Sequence, residues 1–136
     1  MVSSSMSEVP LPDAAAKRWL QLAREDLGAA RAMLGVAGVA PRIVCFLSQQ
    51  AAEKALKAGL ISAGRPFPKI HGLTSLLAIY PDINRPEIDE DDLDLLDPWV
   101  IDGRYAADLP DVEIDQATNL VQVAGRVVDE VSRLVP

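Results

Sequence analysis

The run Phe46-Leu47-Ser48-Gln49-Gln50-Ala51-Ala52-Glu53-Lys54-Ala55-Leu56-Lys57 constrains the fold more than any other part of this chain. Ala51, Ala52, Ala55, Ala58 and Gly59 are small, so a neighbouring helix can approach their side closely. Gln50, Lys54 and Lys57 follow one another at steps of four and three, which places them on one face of a helix. Glu53 sits beside that row and offsets part of its charge. A segment with a tight-packing side and a Gln/Lys side can serve a core and a site together.

The same periodicity recurs along the chain. Ala16, Leu20, Ala23, Leu27, Ala30 and Leu34 form one stripe, and Trp19, Leu22, Asp26, Ala29 and Met33 form a second beside it. Asp26 therefore lies at the edge of an otherwise apolar surface. Asp13 is the expected N-cap of this first helix, and Gly35 and Gly38 end it. Pro41 opens a second helix that runs to about residue 63, before Gly64, Pro66 and Pro68. A short third helix covers about 73–80. A fourth carries Leu93, Leu96 and Val100 on one face, with Asp97-Pro98 read as an N-cap followed by a first-turn proline. The last helix has one row through Ile114, Ala117, Val121, Ala124, Val128 and Val131, and another through Leu120, Val123, Val127 and Leu134. The second row is a candidate for contact with another subunit. No strand alternation is convincing. The expected fold is all-α, an up-and-down bundle of four to five helices, with residues 1–12 a flexible lead-in and 13–136 a single domain.

Aromatic residues make up only 4% of the chain against 49% hydrophobic residues, so Leu, Val, Ile and Ala must build the core. The net charge of −7 argues against a broad basic footprint for nucleic acid and leaves room for a local positive pocket. Much of the acidity falls within 87–97, which lacks the loop glycine and terminal glutamate of a calcium hand and reads as a solvated face. One histidine and one cysteine, far apart, make no zinc site. No phosphate loop or dinucleotide fingerprint is present, and no cofactor is expected. Cys45 lies between Val44 and Phe46, an environment that raises a thiol pKa. A lone cysteine, no leader-like start and no apolar run of the ~18 residues a span needs lead to the expectation of a cytoplasmic chain without a membrane segment.

Two further residues have both a bland and a sharper reading. His71, before Gly72-Leu73, either anchors a loop or serves a site. Arg104-Tyr105, after Gly103, either satisfies terminal carbonyls and packs a ring, or binds phosphate beside a stacking surface.

Several segments together resemble the HEPN domain family, helical domains named for nucleotide binding in higher eukaryotes and prokaryotes. They are Trp19-Leu20 with Ala23 to Leu27, Cys45-Phe46, Gln49 to Lys57, His71-Gly72-Leu73 with Leu76-Leu77, and Arg104-Tyr105. The resemblance implies a helical bundle that is usually dimeric. It also implies a minimal nucleotidyltransferase as partner in a toxin–antitoxin-like pair, and a nucleotide or phosphate ligand. Ribonuclease relatives carry an arginine followed four to six residues later by a histidine. Here Arg104 is followed by Tyr105-Ala106-Ala107-Asp108-Leu109-Pro110, and no histidine lies beyond His71. The expected function is thus a non-catalytic binding module, a homodimer, with Gln50, Lys54, Lys57, His71, Arg104, Tyr105 and Asp26 as the ligand-binding set. The alternative is a metal-independent ribonuclease in which Arg104 acts with His71 supplied from another helix.

Overall fold

The computed structural model describes residues 12–67, 69, 72–100 and 108–136. Five α-helices occur among them: α1 (Pro12–Met33), α2 (Pro41–Ser62), α3 (Leu73–Ile79), α4 (Glu90–Leu96) and α5 (Ile114–Ser132). Two 3-10 turns, Asp82–Asn84 and Asp97–Trp99, complete the regular structure. There is no strand among the described residues, and the all-α bundle expected from the spacing is present.

The centre of the molecule is α2, because its small residues let two long helices close on it from different sides. Ala51, Ala52, Ala55, Ala58 and Gly59 are all buried. The largest helix–helix interface joins α1 to α2, and the next joins α2 to α5. From α1 come Ala16, Leu20, Ala23, Leu27 and Ala30, each no more than 4% exposed. Leu56, at 0% exposure, sits in the middle of this packing; Leu56→Ala at such a site costs about 2–5 kcal/mol. Buried Ser48 returns its hydroxyl to the Val44 carbonyl at 2.8 Å, one turn back, so no polar atom is stranded.

Side-chain pairs fix the helix directions. Asp26 meets Lys54 while Trp19 meets Lys57, so α1 and α2 are antiparallel. Arg42 near the start of α2 reaches Asp111 before α5, and Ser62 at its end reaches the Leu134 carbonyl. The helices α2 and α5 therefore run the same way, and the chain from 63 to 113 carries it back between them.

Four local expectations change. α1 begins at Pro12, so Asp13 lies inside the first turn rather than at the cap, where its charge still favours the helix dipole. The Asp97-Pro98 pair follows α4 directly as a 3-10 turn, and the Asp97 carboxylate accepts the Leu73 amide at 2.9 Å. It thus serves the N-terminus of α3 from a distant part of the chain. On α5, Leu120, Val123 and Val127 are 5%, 1% and 1% exposed within the chain itself, with α4 packed against that helix. The second row is internal core and needs no other subunit to cover it. Ile114, placed in the core row by its spacing, is 42% exposed because it occupies the first turn, beyond the packed segment.

Two glycines govern how α3 joins the bundle. Gly72 precedes α3 with φ of 131°, a conformation that L side chains rarely adopt. At Gly59, a Cβ would collide with the hydroxyl of buried Tyr80, which donates to the Leu56 carbonyl. The end of α3 is thereby locked onto α2.

Candidate functional site

The polar face of α2 forms a seam beside α1. Lys54 Nζ lies 2.6 Å from Asp26 Oδ2, with the two side chains 26% and 21% exposed. One turn further, Lys57 Nζ lies 3.4 Å from Glu53 Oε2. The same ammonium stands 5.6 Å from the Trp19 ring centre and 5.5 Å from that of Phe67. Trp19 and Phe67 meet edge to face, with ring centres 6.3 Å apart and planes at 85°. Lys57 is thus held by one carboxylate and two aromatic faces, a cation–π arrangement that stabilises it without further charge.

Gln50 donates to Gln49 Oε1 at 2.7 Å, and Gln49 Nε2 reaches Glu53 Oε1 at 3.5 Å. Gln49 is only 2% exposed, so this relay satisfies an amide that would otherwise be costly to bury. The result is a continuous string from Gln50 through Gln49 and Glu53 to Lys57.

Beyond Glu53 the seam meets the start of α3. Asp97 accepts the Leu73 amide, and Thr74 Oγ1 donates to Asp94 Oδ1 at 3.2 Å. Burial pushes the Asp97 carboxyl above its usual range; the Leu73 amide opposes that, while the charges of Asp94 and Glu53 add to it. Part of the acidic segment has structural work, since Asp89 caps α4 through the Asp91 amide and Asp92 pairs with Arg126 at 3.3 Å, while Glu87, Glu90 and Asp91 are exposed. No group of His, Cys, Asp or Glu among the described residues is arranged to hold a metal ion. Cys45 is buried, and its thiol is pushed up to about 11 by loss of solvent. No helix among the described residues is long and apolar enough to cross a membrane.

Of the candidate ligand residues, Gln50, Lys54, Lys57 and Asp26 lie together along this seam. Each lysine already has its own carboxylate, Asp26 for Lys54 and Glu53 for Lys57. His71, Arg104 and Tyr105 lie outside the described residues. The seam also uses Gln49, Trp19, Phe67 and Asp97, which the candidate set lacks. The i, i+4 steps from Gln49 to Glu53 to Lys57 were a visible signal for the relay. The Asp97 contact had no local signal.

Residues 16–134 match the HEPN domain family, almost all of the described bundle. The chain belongs to the HEPN domain family. The HEPN fold is also seen in its structural relatives. The crystal structure of TT1696 from Thermus thermophilus superposes with a TM-score of 0.69 at 27% identity, covering 88% of this chain and 97% of that one. The crystal structure of ST0689, an archaeal HEPN homologue, gives a TM-score of 0.60 at 25% identity, covering 89% and 98%. Among curated proteins, none matches this HEPN chain.

Proposed function

We propose that this HEPN chain is a non-catalytic binding module. In this reading it acts in the cytoplasm as a single-domain homodimer of a toxin–antitoxin-like system that pairs with a minimal nucleotidyltransferase, holds a nucleotide or other phosphate ligand, or does both. One observation carries the reading: no histidine follows Arg104, and His71 is the chain's one imidazole. Cleavage of RNA without a metal needs a group that moves a proton near neutral pH, and the family's position for it is empty here.

The seam supports binding by exchange of anions. A phosphate reaching Lys54 would compete with Asp26 for the ammonium, and one reaching Lys57 would compete with Glu53. Removing one carboxylate should therefore raise ligand affinity while lowering stability.

The test combines three measurements on the purified protein: nucleotide titration by calorimetry, co-purification with a co-expressed minimal nucleotidyltransferase, and incubation with labelled RNA. Binding to the nucleotide or the nucleotidyltransferase, with intact RNA, is the expected result. Absence of both interactions overturns the proposal. RNA cleavage that disappears in both His71→Ala and Arg104→Ala also overturns it, in favour of the ribonuclease alternative.

A further inference from the structure

A second charged feature lies on the opposite side of α1 from the Asp26 seam. Lys17, Arg24 and Arg31 recur every seven residues and are all exposed. Seven residues of helix span about 10 Å, so the three form a straight row of evenly spaced cations. The row borders the groove between α1 and α5. Arg24 donates to the Ser132 hydroxyl at 3.1 Å, and the Arg31 guanidinium rests over Gly125.

Both arginines rest on neutral surface. Ser132 is an alcohol that itself donates to the Val128 carbonyl at 2.6 Å. Arg31 has no ion pair or side-chain hydrogen bond among the described residues. Its seat depends on a glycine: a Cβ at position 125 would stand 2.9 Å from an Arg31 terminal nitrogen. Glycine inside a helix costs about 1 kcal/mol relative to alanine. A buried glycine thus lies beneath an exposed guanidinium that has no carboxylate partner among the described residues, in a protein of net charge −7.

From this we infer that the groove between α1 and α5 is a docking surface for an acidic helical segment of a partner protein, with carboxylates one heptad apart facing Arg24 and Arg31. Charge complementarity requires an anionic occupant, and the spacing selects its form. A single small anion meets only one of two guanidinia about 10 Å apart. A nucleic-acid backbone carries far denser charge, about one per 1.7 Å of duplex axis. Asp13 and Glu25 on α1 and Asp129 on α5 are exposed carboxylates of the same two helices, and they disfavour a dense run of phosphates more than two separate carboxylates. The apolar residues Met33, Val36 and Ile43, 38%, 48% and 44% exposed at the α1–α2 turn, offer such a segment an anchor at the Arg31 end. This inference stands apart from the proposed function, because it uses none of the seam residues.

The test is fluorescence anisotropy of the full chain with a labelled helical peptide of about three heptads carrying one glutamate per heptad. A glutamine-substituted peptide and an oligouridylate are the competing probes. The glutamate peptide should bind, weaken as salt rises, and lose about tenfold in affinity against Arg24→Glu or Arg31→Glu. Gly125→Ala keeps every charge but displaces the Arg31 guanidinium, and should weaken binding by a smaller factor. Circular dichroism checks that each variant is folded. No salt-dependent binding of the glutamate peptide overturns the inference. So does tighter arginine-dependent binding of the oligouridylate, or self-association abolished by the arginine reversals, which would make the occupant a second copy of this chain.

Discussion

The contact between Gly59 and Tyr80 gives a prediction whose magnitude can be worked out. Gly59→Ala introduces a methyl group that collides with the Tyr80 hydroxyl and comes within 3.0 Å of two ring carbons. Tyr80 is 2% exposed and donates to the Leu56 carbonyl, so its ring has little room to retreat. Overpacking of this kind costs about 1–3 kcal/mol. Against it stands a gain of about 1 kcal/mol, because alanine is the better helix former. Because the struck atom belongs to a rigid, buried ring, the cost should fall in the upper part of that range, about 2–3 kcal/mol, leaving the variant about 1–2 kcal/mol less stable. Tyr80→Phe alone loses one buried hydrogen bond, about 1 kcal/mol. In the double variant the hydroxyl is gone while the two ring carbons stay close to the new methyl, so Gly59→Ala should cost less in the Tyr80→Phe background than in the parent. That non-additivity is a coupling of about 1–2 kcal/mol in a double-mutant cycle. Urea unfolding followed by circular dichroism measures it; with a slope near 2 kcal/mol per molar, Gly59→Ala should lower the midpoint by about 0.5–1 M. If Gly59→Ala stabilises the protein, or if the two effects add, the assigned contact is wrong.

Asp26→Asn leaves Lys54 partly buried without its counter-charge and should cost about 1–2 kcal/mol, with Asp26→Asn/Lys54→Met recovering most of it in the same urea assay. Asp97 carries the opposite sign of pH effect from an ordinary paired carboxylate. Its pKa is raised in the folded state, so folding binds a proton between the unfolded and folded values, and stability falls as pH rises through that window. Asp97→Asn keeps an acceptor for the Leu73 amide and should equal or exceed the parent above the window, with the difference vanishing below about pH 3.8. Asp97→Ala, by contrast, removes the acceptor and should cost about 1 kcal/mol at any pH. Cys45 should resist a thiol reagent at pH 8 in the native protein and react at once in denaturant, because burial holds its pKa near 11. Rapid native labelling would contradict its placement in the core.

The long helices were legible because their signal is local and repeated. The α1 stripe from Ala16 to Ala30 and the two α5 rows state a period of 3.6 many times over, and packing then uses them as written. Apart from the helix ends at Asp13 and Ile114, what escaped the sequence was a pairing between distant elements. Asp97 carries the residue type and following proline of a local cap, yet its acceptor is taken by Leu73, 24 residues away. Leu120 and Val127 read as a surplus face because α4, which packs on α5, has only a short apolar pattern of its own. The candidate site divides the same way. Lys54 and Lys57 stood out as cations on a helix, but their partners Asp26, Trp19 and Phe67 come from α1 and the turn after α2.

The parallel course of α2 and α5 bears on how the chain folds. The α1–α2 hairpin closes across residues 34–40, whereas α5 must find α2 across residues 63–113. Chain entropy alone makes the longer closure about 2 kcal/mol costlier. The hairpin should therefore form first and α5 should dock onto it late. Truncating Leu20 or Leu56 would then chiefly slow folding, while truncating Val121 or Val128 would chiefly accelerate unfolding. In stopped-flow kinetics the two ends of this bundle should separate into an early nucleus and a late clasp.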